Sequence, residues 1–180
     1  KAASLPRQAS ITNVVKIVSG LHHAMALKSD GTVWTAGYNN YGQLGNGNTN
    51  NQTSFVQVKL NDAGDVLQNV IAVAAGQVNS YALTQEGKVY AWGRNNVGQL
   101  SQGVTDGDIH YYPIEMKKVS NIIDFKAKAN YCVMIDASGA VYCVGNNTNG
   151  QFGVGNSSNQ YYPVRMLDGT NQPLKGAVET

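Results

Sequence analysis

Two adjacent histidines, His22 and His23, are the first residues whose type could do chemistry, as metal ligands. Their spacing argues against it. Neighbours on a regular strand point to opposite faces, so one ion cannot draw both imidazoles. Cys132 and Cys143 could act as a nucleophile or a disulfide, but neither has a histidine near it in sequence. Asn61-Asp62-Ala63-Gly64-Asp65 has the composition of a calcium loop but too few oxygen ligands, and Asp168 lies in a similarly long loop. These read as polar turns. The recurring Gly-Gln pairs are not phosphate loops, because no G-K-[ST] follows and no helix pattern begins there. No Ser-His-Asp context, paired acidic site or Cys-His metal spacing is present. The chain is expected to be no enzyme, with no catalytic residue, cofactor or metal. His110, in a polar stretch before Tyr111-Tyr112, reads as solvent-facing and is kept as a partner-binding candidate.

The elements that position these residues repeat. Gly31 to Gly45 reads G-T-V-W-T-A-G-Y-N-N-Y-G-Q-L-G and returns from Gly87 to Ser101 and from Gly139 to Gly153, offset by 56 and then 52 residues. The same offsets relate Val33, Val89 and Val141, then Asn39, Asn95 and Asn147, then Gln43, Gln99 and Gln151. Periods of this size mark stacked supersecondary units such as propeller blades. Each unit opens on a short, β-branched apolar run (Val14 to Val18, Val70 to Ala75, Ile122 to Phe125), which reads as a buried strand. A second strand and a turn follow, with glycine at 31, 87 and 139 where φ is expected to be positive. A third strand closes on the glycine at 37, 93 and 145, and a fourth apolar patch comes at Phe55 to Val58, Tyr111 to Met116 and Tyr161 to Met166. Four short strands per unit is the anatomy of a propeller blade. The expected fold is all-β: three repeats of four antiparallel strands, at about 11–58, 67–116 and 119–166, forming a partial β-propeller.

Cys132 and Cys143 fall on the two arms of the third hairpin. Around a Ser138-Gly139 turn they would share a face, directly opposite or one diagonal apart. A cross-strand disulfide is open on that geometry. Their small counterparts (Ala24 and Ser80, Thr35 and Ala91) favour buried thiols filling tight space.

The strings G-x-V-x-x-x-G-x-N-x-x-G-Q-[LF] resemble the regulator of chromosome condensation repeat, whose units build β-propellers, commonly of seven blades. Three copies account for nearly the whole chain. It departs from the family pattern in two ways. The tryptophan usual before the third-strand glycine is kept only as Trp92, with Ala36 and Val144 in its place elsewhere. The glycine closing the first strand, Gly20 and Gly76, is Lys128 in the third unit. The family often has a histidine near His22-His23, packed between strands, which implies a structural role here.

The ends read as a piece of a longer protein. Leu5-Pro6-Arg7-Gln8 resembles the last strand of a preceding unit (1–10), Leu174 to Thr180 the first strand of a following one (174–180), and the chain begins with Lys1. Three blades leave two terminal faces open. At roughly 500 Å² of apolar area each, about 25 cal/mol per Å² gives on the order of 12 kcal/mol per face, comparable with a domain's whole net stability of about 5–15 kcal/mol. Those faces are expected to find partners, in a longer chain or by self-association.

Charged residues make up only 13% of the chain, against about 25% in ordinary soluble domains, and Asn, Gln, Ser, Thr and Gly crowd the loops instead. A net charge of +2 gives no electrostatic case for nucleic acid, and no apolar stretch approaches a membrane span. The uncharged, Asn-rich surface resembles bacterial extracellular members of the family, which implies an extracellular or cell-surface location.

In a repeat protein, variable loop positions on a constant scaffold are where a partner can be read. After the third-strand glycine the units carry Tyr38-Asn39-Asn40-Tyr41, Arg94-Asn95-Asn96-Val97 and Asn146-Asn147-Thr148-Asn149. Tyr and Arg are enriched at binding hot spots. Tyr38, Tyr41 and Arg94 join His110 as partner-binding candidates. The expected function is a non-catalytic protein–protein interaction module. The resemblance implies two alternatives: guanine nucleotide exchange with chromatin binding, or inhibition of a secreted enzyme such as a β-lactamase.

Overall fold

The computed structural model describes residues 10–174. The partial units expected at 1–10 and 174–180 lie, but for Ser10 and Leu174, outside the described residues. The described chain is all-β, with three four-stranded antiparallel sheets, each in simple sequential order. The first contains β1 (Val14–Ser19), β2 (His23–Lys28), β3 (Val33–Gly37) and β4 (Gln52–Gln57). The second contains β5 (Val70–Ala75), β6 (Asn79–Thr84), β7 (Val89–Arg94) and β8 (Ile109–Glu115). The third contains β9 (Ile122–Lys128), β10 (Tyr131–Asp136), β11 (Val141–Gly145) and β12 (Gln160–Arg165). These are propeller blades.

The turns explain the register. Gly31, Gly87 and Gly139 sit at φ of 76°, 74° and 81°, where a side chain is strained, and each ends a hairpin. An asparagine precedes each innermost strand in the left-handed region, at Asn13, Asn69 and Asn121 (φ 60°, 55° and 54°). Its carbonyl accepts a bond from the second-strand turn of its own blade: Ser29 N to Asn13 O, Gln85 N to Asn69 O and Ala137 N to Asn121 O, each 2.9 Å. The hairpin glycine then receives the next blade, through Val70 N to Gly31 O and Ile122 N to Gly87 O, both 3.1 Å. The turn of one blade thus sets the height of the next.

The core lies in the two seams between blades. Met25, Leu27, Val33, Val73, Ala82 and Trp92 fill the first. Tyr81, Leu83, Val89, Phe125, Cys132, Met134 and Val144 fill the second. The expectation of a buried first strand fails for β1: Val15 and Ile17 are 62% and 63% exposed. Its counterpart β5 buries Val70 and Val73 between two blades, whereas β1 packs on only one side among the described residues.

The cysteine geometry also differs from expectation. Register pairs Cys132 with Val144 and Val133 with Cys143, so the two thiols point to opposite faces of the sheet. The cause is the turn: Asp136 N bonds Ala140 O and Gly139 N bonds Asp136 O, making a three-residue loop that slips the pairing by one from a Ser138-Gly139 two-residue turn. Both thiols are free and buried. Burial pushes Cys143 up to about 12 and raises Cys132 further, which disfavours the thiolate that a nucleophile needs.

Candidate partner-binding face

One end of the arc is built by the repeated N-x-x-G-Q-[LF] loops. The asparagine Oδ1 accepts the amide of the Leu or Phe five residues on: Leu44 N to Asn39 at 2.9 Å, Leu100 N to Asn95 at 3.1 Å, Phe152 N to Asn147 at 3.0 Å. The same amide group donates across the loop, to Asn48 O and Asn50 O from Asn39, to Val104 O from Asn95, and to Asn156 O and Ser158 O from Asn147. The glutamine Oε1 accepts the amide two residues back, from Tyr41, Val97 and Asn149. Buried backbone groups need partners, and these side chains are committed to supplying them. The repeated Asn and Gln hold the loops and leave the variable positions to face outward.

Three of the four partner candidates meet there. Tyr38, Tyr41 and Arg94 line a hollow of about 590 Å³ together with His22, Gln77, Val78 and Asn130. The Arg94 guanidinium lies 4.9 Å from the Tyr41 ring centroid, a cation–π arrangement. Tyr38 meets Tyr41 edge to face at 6.2 Å and His22 at 6.0 Å. The hollow crosses three units, with His22 and the tyrosines from the first, Arg94 from the second and Asn130 from the third. Its lining holds no carboxylate, and Arg94 forms no ion pair among the described residues. The Oδ1 of Asn130 is buried without a partner among the described residues.

His110 is elsewhere. It belongs to β8, paired with Gly93, not to the preceding loop, and is half-buried with Nε2 3.2 Å from both carboxylate oxygens of Asp106. The sequence pattern missed the strand because its first residues, Ile109 and His110, follow an uninterrupted polar loop. Asp62 and Asp65 are turn residues as expected, Asp65 accepting from Asn61 Nδ2 at 2.8 Å and Asp62 from the Tyr112 hydroxyl of the next blade. That bond raises Tyr112 to about 12. No group of three or more His, Cys, Asp or Glu could hold a metal among the described residues, and no described helix is long and apolar enough to cross a membrane.

His22 and His23 diverge, although only His23 belongs to β2 and His22 lies in the bend before it. His22 is exposed beside Tyr38, while His23 is buried in the first seam with Nε2 2.9 Å from Ser80 Oγ. Ser80 spends its one proton on Gln43 O (2.7 Å), so it accepts from His23, fixing the Nε2–H tautomer. The Trp92 indole also donates to Gln43 O, at 2.9 Å. Burial, with the neighbouring His22 second, lowers His23 to about 4 and keeps it neutral.

Comparison with known proteins places this architecture. The regulator of chromosome condensation (RCC1) repeat matches residues 14–43, 70–99 and 122–151, and in a longer form residues 30–83, 86–135 and 138–177. The chain belongs to the RCC1 repeat family. It is 30% identical over 158 residues to the probable E3 ubiquitin-protein ligase HERC3 of Homo sapiens, covering 86% of this chain and 14% of that protein. It is 31% identical over 140 residues to the RCC2 homolog of Danio rerio, covering 76% of this chain and 27% of that one. The chain thus spans only a minor part of these relatives. Among solved structures, human WBSCR16 superposes with a TM-score of 0.76 at 23% identity, over 92% of this chain and 40% of that one. Yeast RCC1 (Prp20), solved with Kap60 bound, gives 0.76 at 22% identity, over 93% and 41%. At these identities the likeness is one of fold, the RCC1 β-propeller.

Proposed function

We propose that this chain is a non-catalytic protein-interaction module, and that its partner seats on the hollow formed by Tyr38, Tyr41, His22 and Arg94. The observation that carries this reading is the convergence of Tyr and Arg side chains from separate units on one concave, carboxylate-free site. Such residues in partly desolvated pockets dominate binding energy in many interfaces. The polar residues most suited to chemistry, Asn39, Asn95, Asn147 and the glutamines beside them, are occupied in holding backbone. Protein binding also accords with the structural relatives, since yeast RCC1 (Prp20) was solved with Kap60, and Prp20p is described by its binding to Gsp1p and histones.

The test uses the purified chain as bait and the double variant Tyr41→Ser/Arg94→Ser as control, with circular dichroism confirming the fold of both. A retained protein is identified, purified and titrated calorimetrically. Loss of a hot-spot pair costs about 2 kcal/mol or more, roughly thirtyfold in affinity. Equal affinity for both chains would overturn the assigned site. Turnover of a substrate abolished by a single polar loop substitution would overturn the non-catalytic reading.

A further inference from the structure

Each seam is completed at the outer rim by two adjacent tyrosines of the following blade. Tyr111 packs its backbone on Gly42, where a Cβ would stand 2.8 Å from the Tyr111 Cα, and accepts from Gly47 N at 3.2 Å. The Tyr112 hydroxyl then covers Gly47, 2.5 Å from where a Cβ would lie. The second seam repeats this. Tyr161 sits on Gly98, with its Cα 2.8 Å from a would-be Cβ, and accepts from Gly103 N at 3.0 Å, while the Tyr162 ring covers Gly103. Lys118 stacks on Tyr162 with Nζ 3.7 Å from the ring centroid. A side chain would run into tyrosine backbone at Gly42 and Gly98, and into the tyrosine ring or hydroxyl at Gly47 and Gly103.

The third unit keeps the same two glycines, Gly150 and Gly155, on the same motif. Among the described residues a Cβ at Gly155 would meet nothing within 4 Å, and one at Gly150 only Asn156 O at 3.9 Å. The two glycines keep the left-handed backbone of the filled sockets, at φ of 67° and 76° against 71° and 87° in the first and 81° and 85° in the second. The first blade of this chain does not carry the matching peg. Its outermost strand has exposed Thr53 and Ser54 where the other blades have Tyr111-Tyr112 and Tyr161-Tyr162, as the registers Gly37 with Gln52, Gly93 with His110 and Gly145 with Gln160 define. It also has Ala24 and Ala36 where the second blade has Ser80 and Trp92.

We infer that the open face of the third unit is a docking site for a blade whose outermost strand bears two adjacent tyrosines, and that positions 53–54 exclude the first blade of a second copy from it. The rim tyrosines thereby act as an address that fixes which blade follows which. This inference is independent of the partner hollow, which lies at a different part of the molecule.

Light scattering on three purified chains tests it: the chain itself, Thr53→Tyr/Ser54→Tyr, and that double variant with Gly155→Asn added. Positions 53 and 54 are exposed on a strand, where tyrosine is well tolerated, and asparagine is the side chain best suited to the positive φ of Gly155. Thermal melts check that all three fold. The expected result is that the double variant gains mass, at least doubling, at concentrations where the parent chain remains single. Gly155→Asn should return it to the single-chain mass. Equal masses for parent and double variant, or a gain that Gly155→Asn leaves intact, would overturn the inference.

Discussion

The two seams use one loop motif and opposite chemistry. In the first, the Gln43 carbonyl receives Ser80 Oγ and Trp92 Nε1 from the following blade, and Ser80 in turn receives the buried His23. In the second, the following blade offers Cys132 and Val144 at those two positions, neither of which is an effective donor. The Gln99 carbonyl instead takes the hydroxyl of Tyr81, at 3.2 Å, from its own blade, and Asn79 bonds that same hydroxyl. A buried carbonyl must be paired at each seam. One seam supplies the donor across the interface and becomes polar and titratable, while the other supplies it from within and leaves the interface apolar.

The largest expected difference between the seams comes at Trp92. Trp92→Ala removes a fully buried indole and one donor, and should cost about 3–5 kcal/mol in urea unfolding followed by circular dichroism. The equivalent change in the second seam, Val144→Ala, removes about two methylenes' worth of surface and should cost about 1–2 kcal/mol. Equal costs would erase the distinction.

Acid should separate them next. His23 has its folded pKa lowered to about 4 from 6.5, so below pH 6.5 the unfolded chain takes up the proton first. The stabilisation is full above pH 6.5, declines as pH falls toward 4 and is exhausted below it, for a total of about 3 kcal/mol. His23→Gln should flatten the slope of stability between pH 6.5 and 4.5. The second seam has Asn79 at the equivalent position and should contribute no such slope.

Hydroxyl deletions should rank in the reverse order. Tyr81→Phe leaves the Gln99 carbonyl and the Asn79 amide without that partner, costing about 1–3 kcal/mol. Ser80→Ala leaves Gln43 O still paired with Trp92 but strips the buried His23 Nε2–H of its acceptor, one orphaned group against two, and should cost about 1–2 kcal/mol. The smallest effect concerns the thiols. With both buried and their pKa values raised, Cys132 and Cys143 should resist a thiol reagent in native buffer and react only on unfolding, and reductant should leave the melting temperature unchanged.

Much of the fold is legible in the sequence because it is written three times. The offsets that align Gly31, Gly87 and Gly139 also align Asn13, Asn69 and Asn121, so the repeat carries the signal of their left-handed backbone as well. That Tyr38, Tyr41 and Arg94 fall at one end of their units could be read from their place after the third-strand glycine. What could not be read is which side chains of different units meet. His23 reaches a serine 57 residues away, and Ser80 a carbonyl 37 residues away. Nothing local in either stretch encodes that contact. The cysteine pair misled because a single residue in the loop at 137–139 decides which face each thiol occupies. His110 misled because its Asp106 partner lies in the polar loop that hid the start of β8.

The direct test of the contrast is amide hydrogen exchange, corrected for intrinsic rates, at pH 7 and pH 5. Because His23 takes up a proton at pH 5 only when its surroundings open, β1 and β2 should lose protection at pH 5 while β9, β10 and β11 keep theirs. Protection lost equally in the first and third blades, or unchanged in both, would contradict the assignment of a titratable seam and an inert one.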